Sequence, residues 1–162
     1  MKKFYADIVD PKIDKYISDL YGESTSIFKE MEDYAASNEV PIVGPLVGRL
    51  LSQISLIKQP QKLFELGSGF GYSALWFSIS LSENAKITCS DFAKEKADLA
   101  LDYFKRAGVD KSINFLTGNS LDLLKNSKEK FDIIFNDVDK DYYPDVIDIA
   151  YEKLNSGGML IS

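Results

Sequence analysis

Histidine is missing from all 162 residues. Without imidazole there is no histidine metal ligand and no histidine base, so zinc-hydrolase sites and Ser-His triads are excluded. Any proton transfer or metal binding falls to carboxylates, amides, lysine or tyrosine. Cysteine is nearly as scarce: Cys89 stands alone and cannot form an internal disulfide. Its place in an apolar stretch favours packing over chemistry, which suits a reducing compartment. No apolar run approaches the ~18 residues of a membrane span, and Met1 to Asp10 lacks the uninterrupted apolar core of a signal peptide, so the chain reads as cytoplasmic. Basic runs are also absent. With 19 Lys and Arg against 25 Asp and Glu, the net charge is −6, which argues against nucleic acid or an anionic membrane as partner and for a small molecule.

What is present is an ordinary soluble composition, 45% hydrophobic and 27% charged. A chain of this length buries about 70% of its unfolded surface and reads as one domain. Residues 1–58 read as an N-terminal helical cap and residues 59–162 as an α/β core. In the cap, Lys2 to Ser37 is helical and charged. Ile13, Ile17 and Leu20 mark one apolar face and Gly22 a stop; Ile27, Phe28, Met31 and Tyr34 mark a second stripe that ends at Asn38. After a turn-rich link from Val40, Pro45 opens a third helix carrying Leu46, Val47, Leu50, Leu51 and Ile54. Beyond Pro60 strand and helix alternate. Strands are expected at Leu63–Leu66, Ile87–Ser90, Ile113–Leu116, Phe131–Phe135 and Met159–Ile161. Helices follow the first turn, then at Lys94–Ala107 before Gly108, at Leu121–Leu124, and from Pro144 through Val146, Ile147, Ile149, Ala150 and Leu154. Five strands separated by helices predict a doubly wound, mostly parallel sheet.

The richest stretch is Leu63-Phe-Glu-Leu-Gly-Ser-Gly-Phe-Gly-Tyr-Ser-Ala-Leu75: a strand, a turn with glycine at 67, 69 and 71, then a helix. Such a turn lets a ligand approach the main chain, and free N–H groups at the start of the next helix are expected to face an anionic group. A dinucleotide fingerprint, G-x-G-x-x-G, requires glycine where this chain has Tyr72. Glu65, at the end of the first strand, would repel a diphosphate and attract an ammonium. S-adenosylmethionine carries an ammonium and no phosphate. Asp91, at the end of the second strand, suits the two ribose hydroxyls. A tight β–α turn with incidental acids is the alternative.

Ligands in such sheets sit beyond the carboxyl ends of the strands. There the chain places Glu65, Asp91, Gly118 to Ser120, and Asn136-Asp-Val-Asp-Lys140. Two carboxylates and an amide within four residues suit a hard divalent cation, Mg²⁺ above all. The competing reading is a capped helix start, through Asp139 or Asp141. Lys140 reads as a base, a cation that orients substrate, or a surface lysine.

With these motifs in view, the chain resembles the cation-dependent class I O-methyltransferases of the catechol and caffeoyl-CoA type. The resemblance covers most of the sequence and rests on Glu65–Ser73, Lys86–Asp91, Arg106-Ala-Gly-Val-Asp110, Phe131–Tyr142 and the Val43-Gly-Pro segment up to Gly48. It implies a Rossmann-like methyltransferase fold. It also implies that Glu65, Gly67, Ser68 and Ser73 hold the methionine end of S-adenosylmethionine with the backbone of Val43, that Asp91 holds the ribose, and that Ser120 holds the adenine edge. Asp137 would bind both cofactor and a divalent cation, Mg²⁺ or Ca²⁺, and Lys140 would stand near the reacting hydroxyl of a small aromatic substrate. A homodimer is implied as well. A cation holding a vicinal diol can ionise and aim the hydroxyl, so the absence of histidine is no obstacle.

The family continues past the fifth strand with an Asp-Asn pair that completes the metal site, then with further helix and an antiparallel strand pair, whereas this sequence stops at Ser162. An incomplete metal site, a partial substrate wall and one uncovered sheet edge are therefore expected. Two other readings stay open: a non-catalytic S-adenosylmethionine-binding or interaction module, and a nicotinamide-dependent oxidoreductase.

Overall fold

The structure, a computed structural model, describes residues 10–22 and 24–162; the expected helical stretch before Asp10 lies outside them. β1 (Lys62–Leu66) is the centre of the sheet, with every residue from Leu63 to Leu66 buried. Such a run suits a strand covered on both faces. β2 (Lys86–Asp91), β3 (Ile113–Thr117), β4 (Phe131–Asn136) and β5 (Leu154–Ile161) complete a five-stranded sheet of order β3-β2-β1-β4-β5. Every pairing is parallel, and a bulge between Phe131 and Ile133 shifts the register of β4 against β5. The chain reverses direction across the sheet at β1, so the carboxyl ends of β1 and β4 flank the switch point where α/β sheets bind ligands.

The side chains of β1 alternate between two cores. Leu63, Ile87, Cys89, Ile113 and Ile133 pack with Phe28, Met31, Leu51, Trp76, Ala100 and Phe104. These come from α2 (Ser26–Ser37), α3 (Gly44–Lys58), α4 (Tyr72–Ser78) and α5 (Lys94–Arg106). Phe64, Leu66 and Ile134 pack on the other face with Leu124 of α6 (Ser120–Asn126) and Val146 and Ala150 of α7 (Tyr143–Lys153). By the same alternation Glu65 points to the α4 side.

β1, β3 and β4 each run one residue past one expected end and β2 one past both, and β5 begins at Leu154 rather than Met159. The helical cap differs more. α1 (Pro11–Tyr21) is capped by the Asp10 carboxylate, which accepts from the Lys12 N–H at 2.8 Å, and it stops at Gly22. Of the expected face, Ile13 and Leu20 are each more than half exposed and Ile17 is half-buried. In α2 the buried stripe is Phe28, Met31 and Ala35, while Tyr34 is exposed. In α3 it is Gly48, Leu51 and Ser55, with Val47 and Leu50 outside.

Size explains the turn of α3. The Trp76 indole stacks on Phe28 with ring centroids 4.0 Å apart, and it lies against the backbone of Gly48. A Cβ at Gly48 would fall 2.3 Å from the indole. Gly48→Ala should therefore cost about 1–3 kcal/mol through overpacking, which for this chain length lowers Tm by roughly 3–10 °C. A circular-dichroism melt reads this directly; an unchanged Tm would mean that the indole yields freely. Among the described residues no helix is long and apolar enough to cross a membrane.

Candidate functional site

β1 ends in the turn Gly67–Gly71, and the turn is tied down from within. The N–H groups of Gly67 and Ser68 both donate to the Ser90 carbonyl, at 3.0 and 2.9 Å. The Gly71 N–H donates to the Ser68 carbonyl at 2.9 Å, and that of Gly69 donates to Asp91 Oδ2 at 3.0 Å. Four of the turn's N–H groups are thus spent inside the protein. The expectation of N–H groups that await an anion concerns the start of the next helix, Tyr72–Ser78, whose first two residues both line the adjoining cleft.

Around this turn a small cleft of about 30 Å³ is lined by Pro41, Ile42, Val43, Gly67–Ser73 without Gly71, and Asp137. Five expected cofactor residues, Val43, Gly67, Ser68, Ser73 and Asp137, therefore meet in one place. As it stands the cleft holds little more than water. Pro41, Ile42, Phe70 and Tyr72 escaped the sequence reading. Only adjacency to Val43 and to the glycines pointed to them. The Tyr72 hydroxyl donates to Glu32 Oε1 at 2.7 Å, joining the turn to α2, and loss of water there pushes its phenol above the ordinary range.

Glu65 is placed differently from the direct ammonium partner the sequence suggested. It is 0% exposed and is not part of the cleft lining. Ser68 Oγ donates to its Oε2 at 2.8 Å, and Ser73 Oγ donates to its Oε1. The Cys89 thiol approaches Oε2 at 3.7 Å. Burial outweighs these bonds and pushes the Glu65 carboxyl up to about 7; burial likewise raises the Cys89 thiol, as a packing cysteine requires.

Asp137 follows β4 directly. Its N–H donates to the Leu66 carbonyl at 2.9 Å, which brings it beside the end of β1. Its side chain remains exposed at the cleft mouth, yet enough protein crowds it that partial loss of water raises its carboxyl to about 6. Of the two acids, Asp137 is the one a ligand's cation can touch.

Asp91 and Ser120 stand apart from this cleft, along the carboxyl edge of β2 and β3. The Asp91 carboxylate already accepts from the N–H groups of Gly69 and Ala93, both at 3.0 Å. Each oxygen keeps a lone pair for a further donor. Ser120 is buried as the first residue of α6, whose cap is Asn119, accepting from Leu121 and Asp122 at 2.9 and 3.1 Å.

The acidic cluster after β4 is not gathered as a metal site. Asn136 is the last residue of β4 and is buried, with Nδ2 donating to Ser162 Oγ at 3.2 Å and Oδ1 unpartnered. Asp139 and Lys140 are exposed beyond it, at the start of a short 3-10 turn, Lys140–Tyr142. The Asp139 side chain makes no capping bond, so the helix-cap alternative does not account for it. Among the described residues no three acidic, cysteine or histidine side chains converge on a point an ion could occupy. Asp137 offers one hard oxygen ligand, which does not make a site by itself.

Residues 19–162 match the sequence profile of a family described as O-methyltransferase. A catechol O-methyltransferase of Niastella koreensis is 28% identical over 156 residues, covering 93% of this chain and 71% of its own length. A caffeoyl-CoA O-methyltransferase of Medicago sativa is 32% identical over 119 residues, covering 70% of this chain and 48% of its own. Among solved structures, the O-methyltransferase from Bacillus cereus in complex with SAH aligns with a TM-score of 0.81 at 27% identity, over 89% of this chain and 68% of that one. The chain spans between 48% and 73% of the length of such curated relatives.

Proposed function

The chain belongs to the O-methyltransferase family, and from that premise we propose that it transfers a methyl group from S-adenosylmethionine to a hydroxyl of a small, catechol-like aromatic. The observation that supports the reading is the cleft at the switch point, which gathers Val43, Gly67, Ser68, Ser73 and Asp137 around the glycine turn at the end of β1. S-adenosylmethionine supplies an electrophilic methyl: an acceptor oxygen forms the new C–O bond as the C–S bond breaks and the sulfonium becomes a neutral thioether. Asp137 and the serine oxygens hold the amine, Asp91 takes the ribose hydroxyls, Ser120 the adenine edge, and Val43 closes over the methionine end. Lys140, at the same edge, accepts the hydroxyl proton or steadies the phenolate. Holding the oxygen on the methyl axis is the main task, since alignment is worth orders of magnitude in rate.

A divalent cation belongs to the same reading, with Asp137 as its ligand from this chain. Because the described residues make no complete metal site, no step here runs through it. The test of both parts is one assay: labelled S-adenosylmethionine, a catechol and Mg²⁺, with and without EDTA. Methylation of one of two vicinal hydroxyls, lost with EDTA and restored by Mg²⁺, is expected. Transfer indifferent to EDTA would remove the cation, and no transfer to any catechol would remove the substrate class. The reading extends to a homodimer in a reducing cytoplasm, supported by the exposed Ile13 and Leu20 of α1 and by the buried, unpaired Cys89; sedimentation velocity decides the first.

A further inference from the structure

We propose that the outward face of α3 is an interface for a second copy of this chain, formed by two α3 helices packed antiparallel about a twofold axis. This rests on the homodimer reading and names its surface. α3 buries Gly48, Leu51 and Ser55 against its own subunit, but its opposite side is largely apolar where a surface helix is polar. Val47, Leu50 and Ile57 are 43%, 53% and 85% exposed, and Ile54 between them is only partly buried. Single exposed apolar residues are ordinary, whereas a row of them along one helix marks a contact surface.

Spacing identifies the partner. The steps from Val47 to Leu50, Ile54 and Ile57 are three, four and three residues, the a/d alternation of a helix–helix seam. That row reads the same from either end. Turned about a twofold axis across the middle of the helix, Val47 meets Ile57 of the partner subunit and Leu50 meets Ile54 of the partner subunit. The face is thus complementary to itself, as an isologous contact requires. Charge permits the pairing. α3 has no acidic residue, and its two cations turn back on their own subunit. The Arg49 guanidinium lies 5.4 Å from the centre of the Trp76 ring, and Lys58 Nζ donates to the Gly157 carbonyl at 2.8 Å. The exposed apolar residues of α1 match less well, because the ion pair of Lys15 and Asp19 is interleaved with Tyr16 and Leu20.

Sedimentation velocity on the 162-residue chain is expected to show a dimer, with loading taken up to about 100 μM because a two-helix seam is smaller than a standard interface. Leu50→Glu puts a carboxylate into the seam twice and should weaken the dimer about tenfold or more, while Leu20→Glu on α1 should leave it unchanged. Both sites are more than half exposed, so both variants should fold and melt as the wild type does. Disulfides read the register, because Cys89 is buried and only introduced thiols react. Val47→Cys combined with Ile57→Cys should give a covalent dimer under mild oxidation. Neither change alone should do so, since the two copies of one position stand about 15 Å apart along antiparallel helices. A dimer that withstands Leu50→Glu, or is lost as fully with Leu20→Glu, would overturn this surface and leave the homodimer standing; so would a cysteine pair that locks no better than either cysteine alone. A wild-type monomer at every concentration would overturn the homodimer reading and this inference together.

Discussion

Gly67→Ala is expected to cost about 2–5 kcal/mol of folding stability and to remove measurable S-adenosylhomocysteine binding. Two separate penalties meet at this residue. Gly67 has φ of +79°, where a Cβ clashes with its own backbone at a cost of roughly 1–2 kcal/mol. The added carbon would also lie 2.5 Å from the Asp137 carbonyl oxygen and 2.9 Å from its carbon. Backbone cannot rotate aside as a side chain can, so β1 and β4 must separate at their ends, an overpacking cost of about 1–3 kcal/mol. That separation acts directly on the site, because the Asp137 N–H to Leu66 carbonyl bond at 2.9 Å holds the two ends together. Thermal melts should show Tm lower by roughly 5–15 °C. Calorimetry below the new Tm should show no heat with S-adenosylhomocysteine. A folded variant that binds normally would mean that this junction has slack the geometry does not suggest.

The difference between Gly67 and Gly48 shows what a sequence can disclose. A glycine in a β–α turn announces a close approach of main chain to main chain, and the turn was legible from its spacing. Gly48, inside a helix, is not among the residues that the apolar periodicity picks out; it lies on the buried face because its partner is an indole that a Cβ would meet at 2.3 Å. The amphipathic pattern gave the positions of α3 but not the rotation that packs it. The same limit holds for α1, whose expected face stays exposed at Ile13 and Leu20. The sheet was legible almost throughout, since alternating strand and helix leave few topologies and a parallel strand order follows from right-handed crossovers.

At the site, residue types were legible and directions were not. Ser68, Ser73 and Asp137, which follow strands, line one cleft with Val43, which only the family resemblance names. Glu65 was expected in the cleft but is roofed by Ser68 and Ser73, three and eight residues later in the chain. No periodicity states that two hydroxyls will close over a strand-end acid. Asn136 was grouped with Asp137 by proximity, yet β4 runs one residue further than its apolar run, so the amide is carried into the sheet and away from the mouth.

The enclosure of Glu65 has a thermodynamic consequence that Glu65→Gln exposes. Its carboxyl titrates at about 7 in the folded chain against 4.5 when unperturbed, burial being the largest cause. A raised carboxyl means that the folded state keeps a proton which the unfolded state releases. The contribution to stability is fully present below pH 4.5, is lost as pH rises toward 7, and stays lost above it. Over that window the wild type should lose roughly 3 kcal/mol through this group alone. Glutamine has no proton to lose, so the variant should match the wild type near pH 4.5 and exceed it at pH 8. The margin at pH 8 is roughly 3 kcal/mol, because the bonds from Ser68 and Ser73 are already contained in the value of about 7; this corresponds to a Tm higher by roughly 6–12 °C. Asp137, raised to about 6, tilts stability the same way below that pH, and its charge is one of the causes that raise Glu65, so that coupling is part of the difference between the two proteins. Melting curves of the two proteins across pH 4.5–8 measure the effect; parallel curves would mean that Glu65 ionises as freely in the fold as outside it.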